Sequence, residues 1–263
     1  ILSDVEFTLN GIYSTMQSSD AYSGRLVYYG DVTGDDMQAV SSTKRVANYY
    51  RFNFTKDDNP SSHWSYLYSI IQNCNLILMN IDKLVIDEDD KAYRDDLKGE
   101  ALAIRGLALF DLTRIFGYPY LKDNGASLGV PIIEGLSTID SKPTRNTVAQ
   151  CYTKIIDDLT QSLSLLGEKF NKGKINKWGA MVLLSRVYLY KGENANALKM
   201  ASDAIIGAEK NKYALWTNED YPTAWGEDAS ASKPGEVLFE IVNLTTDSPG
   251  KESMGYLNSY DGY

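Results

Sequence analysis

The sequence predicts an all-α fold: a bundle of tetratricopeptide-like helical hairpins with long decorating loops and a few short strands. Three observations carry that expectation. Apolar side chains recur every three or four residues through most of residues 3–17, 59–116 and 145–209. Helix start and stop signals punctuate those stretches. Residues 176–209 pair two helical patterns around one glycine, with small residues where the two would cross.

The elements follow in order. Ser3 and Glu6 have the spacing of a capping box, and Val5, Leu9, Ile12 and Met16 share one helical face over 3–17. From 21 to 58 the periodicity fails among Gly, Ser, Asp and Tyr, so a long ordered loop is expected, with a short strand over 25–29. Its aromatics, Tyr22, Tyr28, Tyr29, Tyr49, Tyr50 and Phe52, argue for order. Asn59 and Pro60 suit a helix start. Trp64, Leu67, Tyr68, Ile71, Asn75, Leu78 and Ile81 then continue at helical spacing to about residue 84. A helix over 90–116 carries Ala101, Ala103, Gly106 and Ala108, small residues that let a neighbour come close. Gly117 and Pro119 end it, and 118–143 is a loop. Thr147 and Gln150 form a second capping box for a helix running to a stop at Gly167. Helices over 176–191 and 194–209 flank Gly192. Beyond 210 only 236–242 has the alternation of a strand.

With 263 residues, 43 % of them hydrophobic, the chain can bury a sizeable core. A formal charge of −9 repels phosphate backbones, so nucleic acid is not an expected partner. Cys74 and Cys151 both sit in apolar helical patterns and are expected as buried free thiols. No apolar run reaches the roughly 20 residues needed to cross a bilayer. The chain opens at Ile1 with neither an initiator Met nor a secretory pattern, so a processed or engineered start is expected, with any membrane anchor outside this sequence.

Gly99-Glu100-Ala101-Leu102-Ala103-Ile104-Arg105, followed by Phe110-Asp111-Leu112-Thr113-Arg114-Ile115-Phe116-Gly117, resembles the central helix of the SusD/RagB family. Trp64 with Tyr68, Ile71, Asn75 and Ile81 resembles the helix before it. Pro143-Thr144-Arg145 with Asp157-Asp158-Leu159, and Lys177 to Gly192 with Ala197, resemble the segments after it. The resemblance extends over 1–242 and rests on their order and spacing together. It implies a single helical domain over 1–263: a tetratricopeptide-like core at about 59–209 and loop-rich, ligand-facing segments at 21–58 and 210–263. It implies a lipid-anchored, surface-exposed outer-membrane protein that caps a TonB-dependent transporter and delivers oligosaccharides to it, or peptides in some members. Members are about twice as long, so the carboxy-terminal part and the lipidated cysteine are expected to lie outside this sequence.

Arg105, Asp111 and Arg114 are expected to be structural ion pairs between helices. His63 is the sole histidine, which removes any two-histidine zinc site. No Gly-x-Ser-x-Gly elbow, Walker loop or Gly-x-Gly-x-x-Gly is present. Asp31, Thr33 and Asp35 alternate as in a calcium loop, but an EF-hand's sixth-position Gly and twelfth-position Glu are missing. Of the acidic pairs, 87–90 suits a helix entry and 157–158 a solvated helix face, leaving Asp35 and Asp36 in the aromatic loop.

The stronger signal is aromatic side chains among polar neighbours outside the helices. A pyranose offers an apolar C–H face and a hydroxyl rim, which Trp or Tyr rings and Asp, Asn or Arg side chains complement. The candidate ligand-binding residues are Tyr28, Asp35, Asp36, Arg45, Tyr49, Tyr50 and Arg51 in one segment, and Tyr213, Trp216, Tyr221 and Trp225 in another. Most such rings would pack loops onto the bundle. The expected function is non-catalytic glycan capture, with no cofactor and no metal. A helical-repeat scaffold for a protein or peptide partner is the alternative, and a glycoside hydrolase fragment comes last.

Overall fold

The computed structural model describes residues 1–34, 36–39, 47–55, 61–138, 140–171, 173–224, 235–243 and 250. Eight α-helices order them: α1 (Leu2–Met16), α2 (Arg25–Thr33), α3 (Ala47–Tyr50), α4 (Ser61–Asn80), α5 (Lys91–Phe116), α6 (Val148–Leu165), α7 (Lys177–Lys191) and α8 (Asn194–Lys210). Two compact units result: residues 1–12 with 69–240, and residues 13–68 with 241–263.

The first unit is built around α5. Every residue of α5 from Gly99 to Thr113 is buried, and a helix enclosed on all sides needs neighbours all round it. α6 packs along α5, α7 along α6 and α8 along α7. Small residues set the spacing, as the sequence predicts. A Cβ at Gly106 would sit 3.0 Å from Leu159 Cγ, and one at Gly207 only 2.0 Å from the Trp178 ring. Trp178, Met181, Ala204, Ala208 and Tyr213 form a core cluster there, with Leu163, Phe170, Met200 and Leu238 against it.

The helix ends are specified locally. Thr147 accepts a bond from the Gln150 N–H, and the Gln150 side chain accepts from the Thr147 N–H, closing the expected capping box. Asn176 caps α7 by accepting from the N–H groups of Trp178 and Gly179. Gly192 ends α7 at φ 85°, left-handed geometry that a side chain would strain. Arg145, in the Pro-Thr-Arg motif, donates to the carbonyls of Phe116 (2.9 Å), Leu128 (3.0 Å) and Gly129 (2.5 Å), tying the end of α5 to the loop that follows.

Buried charge clamps the helices. Arg105 forks onto Asp158 at 2.8 and 2.6 Å, and its third bond, 2.8 Å, reaches Asn75 Oδ1. Asn75 in turn donates to the carbonyls of Ile133 and Gly135. Lys154 lies 3.3 Å from Asp158 and 2.7 Å from Glu134. Arg114 pairs with Asp111 and lies over the rings of Phe110 and Tyr190. Arg105 thus pairs across helices as expected, whereas the Asp111–Arg114 pair lies within α5 and reaches α7 only through Arg114 over Tyr190. Asp158 corrects an expectation: it is fully buried, not part of a solvated face, because both Arg105 and Lys154 neutralise it.

Other expectations also change. α1 starts at Leu2, so Ser3 is already inside it and no capping box with Glu6 forms; Glu6 instead accepts from Tyr93 Oη at 2.6 Å and Lys174 Nζ at 3.0 Å. No strand occurs among the described residues, where the one bridge joins Leu128 to Thr147. Residues 25–29, expected as a strand, open α2, and the 21–58 segment holds two helices in place of a continuous loop. The β-branched and aromatic residues there mislead, since local propensity yields when burial favours the helical period, here Tyr28 and Val32. The 236–242 stretch forms no strand among the described residues and opens on a turn; Leu238 and Phe239 lie against α7 at Gly179. The helix start at Asn59 and Pro60 falls outside the described residues.

In the second unit Tyr28, Val32 and Tyr49 form a small core, with Tyr29, Met37 and Tyr50 packed against it. The turn after α1 is tied down by Gln17, which donates to Val242 O at 2.6 Å, and by Ser23, which donates to Asn243 Oδ1 at 3.1 Å.

Candidate functional site

Each unit carries one candidate segment. In the second, α2 and α3 bring several rings together. Tyr29 meets Tyr49 edge-on at 5.3 Å and Phe54 at 6.5 Å; Tyr49 meets Phe54 at 5.7 Å, and Phe54 meets Phe52 at 6.3 Å. The cluster grades from interior to surface. Tyr28 (4 % exposed) and Tyr49 (8 %) belong to the core, whereas Phe54 (39 %) and Phe52 (62 %) present apolar ring to solvent. Phe52 also holds φ 52°, a left-handed conformation that costs a bulky residue on the order of 1–2 kcal/mol. Arg51 and Asn53 flank it and are exposed, as is Asp36.

Beneath this surface lies His63, 1 % exposed. Its Nδ1 is 2.9 Å from the Asp20 carbonyl, which can only accept, so Nδ1 carries the proton. Among the described residues Nε2 is buried without a hydrogen-bond partner. The ring meets Tyr29 edge-on at 5.8 Å. Burial pushes the His63 pKa down and the Tyr29 pKa up. Asp20 itself is held by Arg25 at 2.7 Å.

Of the residues predicted for this segment, Tyr28 and Tyr49 thus build the support and Tyr50 packs against it, while Asp36 and Arg51 are surface side chains. Asp35 and Arg45 lie outside the described residues. Sequence reasoning passed over Tyr29, Phe52, Phe54 and His63 as site residues. The aromatic–polar alternation from Tyr50 to Phe54 was the available signal.

In the first unit Tyr213 is set aside as a ligand contact. It is buried in the α7–α8 cluster, and its hydroxyl accepts from Asn176, the α7 cap, at 2.6 Å. Trp216 and Tyr221 are more open: the rings meet edge-on at 6.2 Å, Tyr221 is 52 % exposed, and the Trp216 N–H donates to Glu236. Trp225 lies outside the described residues.

Among the described residues no group of three or more His, Cys, Asp or Glu could hold a metal ion. Asp31 and Thr33, two of the three alternating oxygens, are in α2, where the Thr33 hydroxyl donates to the Tyr29 carbonyl at 2.8 Å. Both cysteines are buried and free, with the Cys74 pKa pushed up to about 12 by burial.

The first unit is a stack of helices α5 to α8, and each unit exposes aromatic rings, Phe52 and Phe54 in the second and Tyr221 in the first. The chain belongs to the SusD-like family: the family described as "Starch-binding associating with outer membrane" matches residues 3–189. It is similar to a crystallised protein of Bacteroides vulgatus proposed to bind sugar, with 82 % identity, a TM-score of 0.96, and coverage of 100 % of this chain and 59 % of that one. A SusD superfamily protein of Bacteroides vulgatus matches at 40 % identity and TM-score 0.91, over 99 % of this chain and 59 % of that one. A curated SusD-like protein of Bacteroides ovatus is 27 % identical over 135 residues, 51 % of this chain and 23 % of that protein. The chain thus spans 59 % of the length of these two solved relatives. No helix among the described residues is long and apolar enough to cross a membrane.

Proposed function

We propose that this chain binds oligosaccharide reversibly at the outer-membrane surface, without cutting it, and hands it to a TonB-dependent transporter. The observation that carries the binding step is the ring surface of Phe52 and Phe54 on the Tyr29–Tyr49 support, beside exposed Arg51 and Asn53. Apolar ring faces with adjacent planar hydrogen-bond groups match a sugar's C–H face and hydroxyl rim. Trp216 and Tyr221 offer a similar pair in the first unit. The family's starch-binding description and the sugar-binding proposal for the 82 % identical relative support this reading. Lipid anchoring and the transporter partner belong to the proposal through the family likeness.

Isothermal titration against a panel of neutral oligosaccharides tests it. Heat with at least one sugar, and no new reducing ends, is the expected outcome. Released reducing ends would favour a hydrolase instead. A second reading, a scaffold for a protein partner, is favoured by the outward apolar residues Leu198, Ile205 and Ile206 of α8. Silence across the sugar panel, together with co-purification of a β-barrel, would support that reading.

A further inference from the structure

The buried histidine lies directly beneath the ring surface. His63 sits in the first turn of α4 and touches two things that hold the aromatic cluster in place: the turn carrying Asp20 and the edge of Tyr29. Its neutral form is fixed in one tautomer. Nδ1–H donates to the Asp20 carbonyl, and Nε2 is buried with no hydrogen-bond partner among the described residues. A proton added at Nε2 would place a new N–H, and a positive charge, in a buried spot that offers it no acceptor. The charged and titratable groups that face the ring among the described residues are Asp20, from the turn after α1, and Arg25 and Tyr29, from α2. Asp20 already pairs with Arg25, and the Arg25 charge itself opposes a second cation.

We propose that His63 is a positioning residue that makes the aromatic surface acid-sensitive: neutral, it keeps Tyr29 and the Asp20 turn in place, and protonated it leaves its pocket and loosens the Tyr29–Tyr49–Phe54 cluster. Ligand held on that surface is then released as the medium acidifies. This rests on the binding reading above for its ligand, though the loosening itself does not. Free in water, the imidazole titrates near 6.5; folding favours its neutral form, so the folded unit binds fewer protons than the unfolded one. The stabilisation from the neutral ring is complete above that value and is lost as pH falls below it toward the lower folded pKa.

His63 is the only histidine, so its ring resonance in a proton–carbon spectrum is unambiguous. In the full chain, its titration midpoint is expected below 6.5, with the Tyr29 ring signals moving at the same pH. A midpoint at or above 6.5, or Tyr29 signals that stay still, overturns the proposal. The second measurement is affinity for the sugar selected by the panel. It should fall by about tenfold from about pH 7.5 to about pH 5 in the wild type, and far less in His63→Asn, whose amide nitrogen takes the place of Nδ1 as donor to Asp20 but takes up no proton. Equal losses in both proteins also overturn the proposal. If no sugar binds at any pH while the two midpoints coincide, the acid-sensitive cluster stands and the glycan reading fails.

Discussion

Phe52 and Arg105 mark two uses of a single residue. Phe52 keeps left-handed backbone geometry with its ring mostly in solvent. That conformation costs folding free energy and its ring meets only Phe54 among the described rings, so a benefit is expected at the ligand. Phe52→Gly should stabilise the fold by about 1 kcal/mol in urea titration and at the same time weaken oligosaccharide binding by about 1 kcal/mol. Lower stability together with unchanged affinity would remove Phe52 from the surface. Arg105 is the opposite case, buried with its guanidinium bonded to Asp158 and Asn75. Arg105→Met leaves Asp158 with Lys154 alone and takes the Arg105 donor from Asn75 Oδ1, so a loss of about 3–5 kcal/mol is expected in the same titration. The sequence showed that Arg105 should pair across helices. It could not show that Asp158 was the partner, because nothing local separates Asp157 from Asp158 until α6 is turned against α5.

Among elements, α5 to α8 were legible and the aromatic segments only partly so. α6 and α7 combine helical spacing with caps that specify their own ends, Thr147 with Gln150, Asn176 and Gly192, while α5 and α8 start without a side-chain cap and rest on spacing and small residues. Local signals and tertiary packing agree there. In α2 they disagree: Val, Tyr and Thr favour extended chain, and only burial against Tyr49 selects the helix. The ring surface was half visible for the same reason. Tyr28 and Tyr49 resemble ligand contacts in a segment without helical periodicity, and the helices it forms send them inward. In α8 the small residues face in and the large ones out, which makes Gly207 a strict position. Gly207→Ala is expected to cost about 1–3 kcal/mol as the Trp178 ring is displaced, read by thermal unfolding and by a shift in tryptophan emission. An unchanged melting temperature would mean that the ring finds a second seat.

At the scale of the molecule, the two units differ in what holds them. The first has long helices, a buried ion-pair network and both cysteines; among the described residues the second has the aromatic cluster of Tyr28, Val32 and Tyr49 and the short helices α2 and α3. The second should therefore open at lower denaturant. Two independent probes follow that order. The His63 resonance reports the second unit, and labelling of Cys74 and Cys151 reports the first, since burial raises the pKa of both thiols and shields them. The histidine signal is expected to change at a lower urea concentration than the one at which the thiols react, and coincident midpoints would show a single cooperative transition instead. One small feature extends across the first unit in another way. Asn176 begins α7 with its carbonyl oxygen and, with its amide nitrogen, grips the Tyr213 hydroxyl. The stretch bearing Trp216 and Tyr221 has little interior of its own, so it borrows rigidity from the first turn of a helix. Replacing that one amide would slacken two places at once, and a sugar titration would register damage done more than thirty residues upstream in the chain.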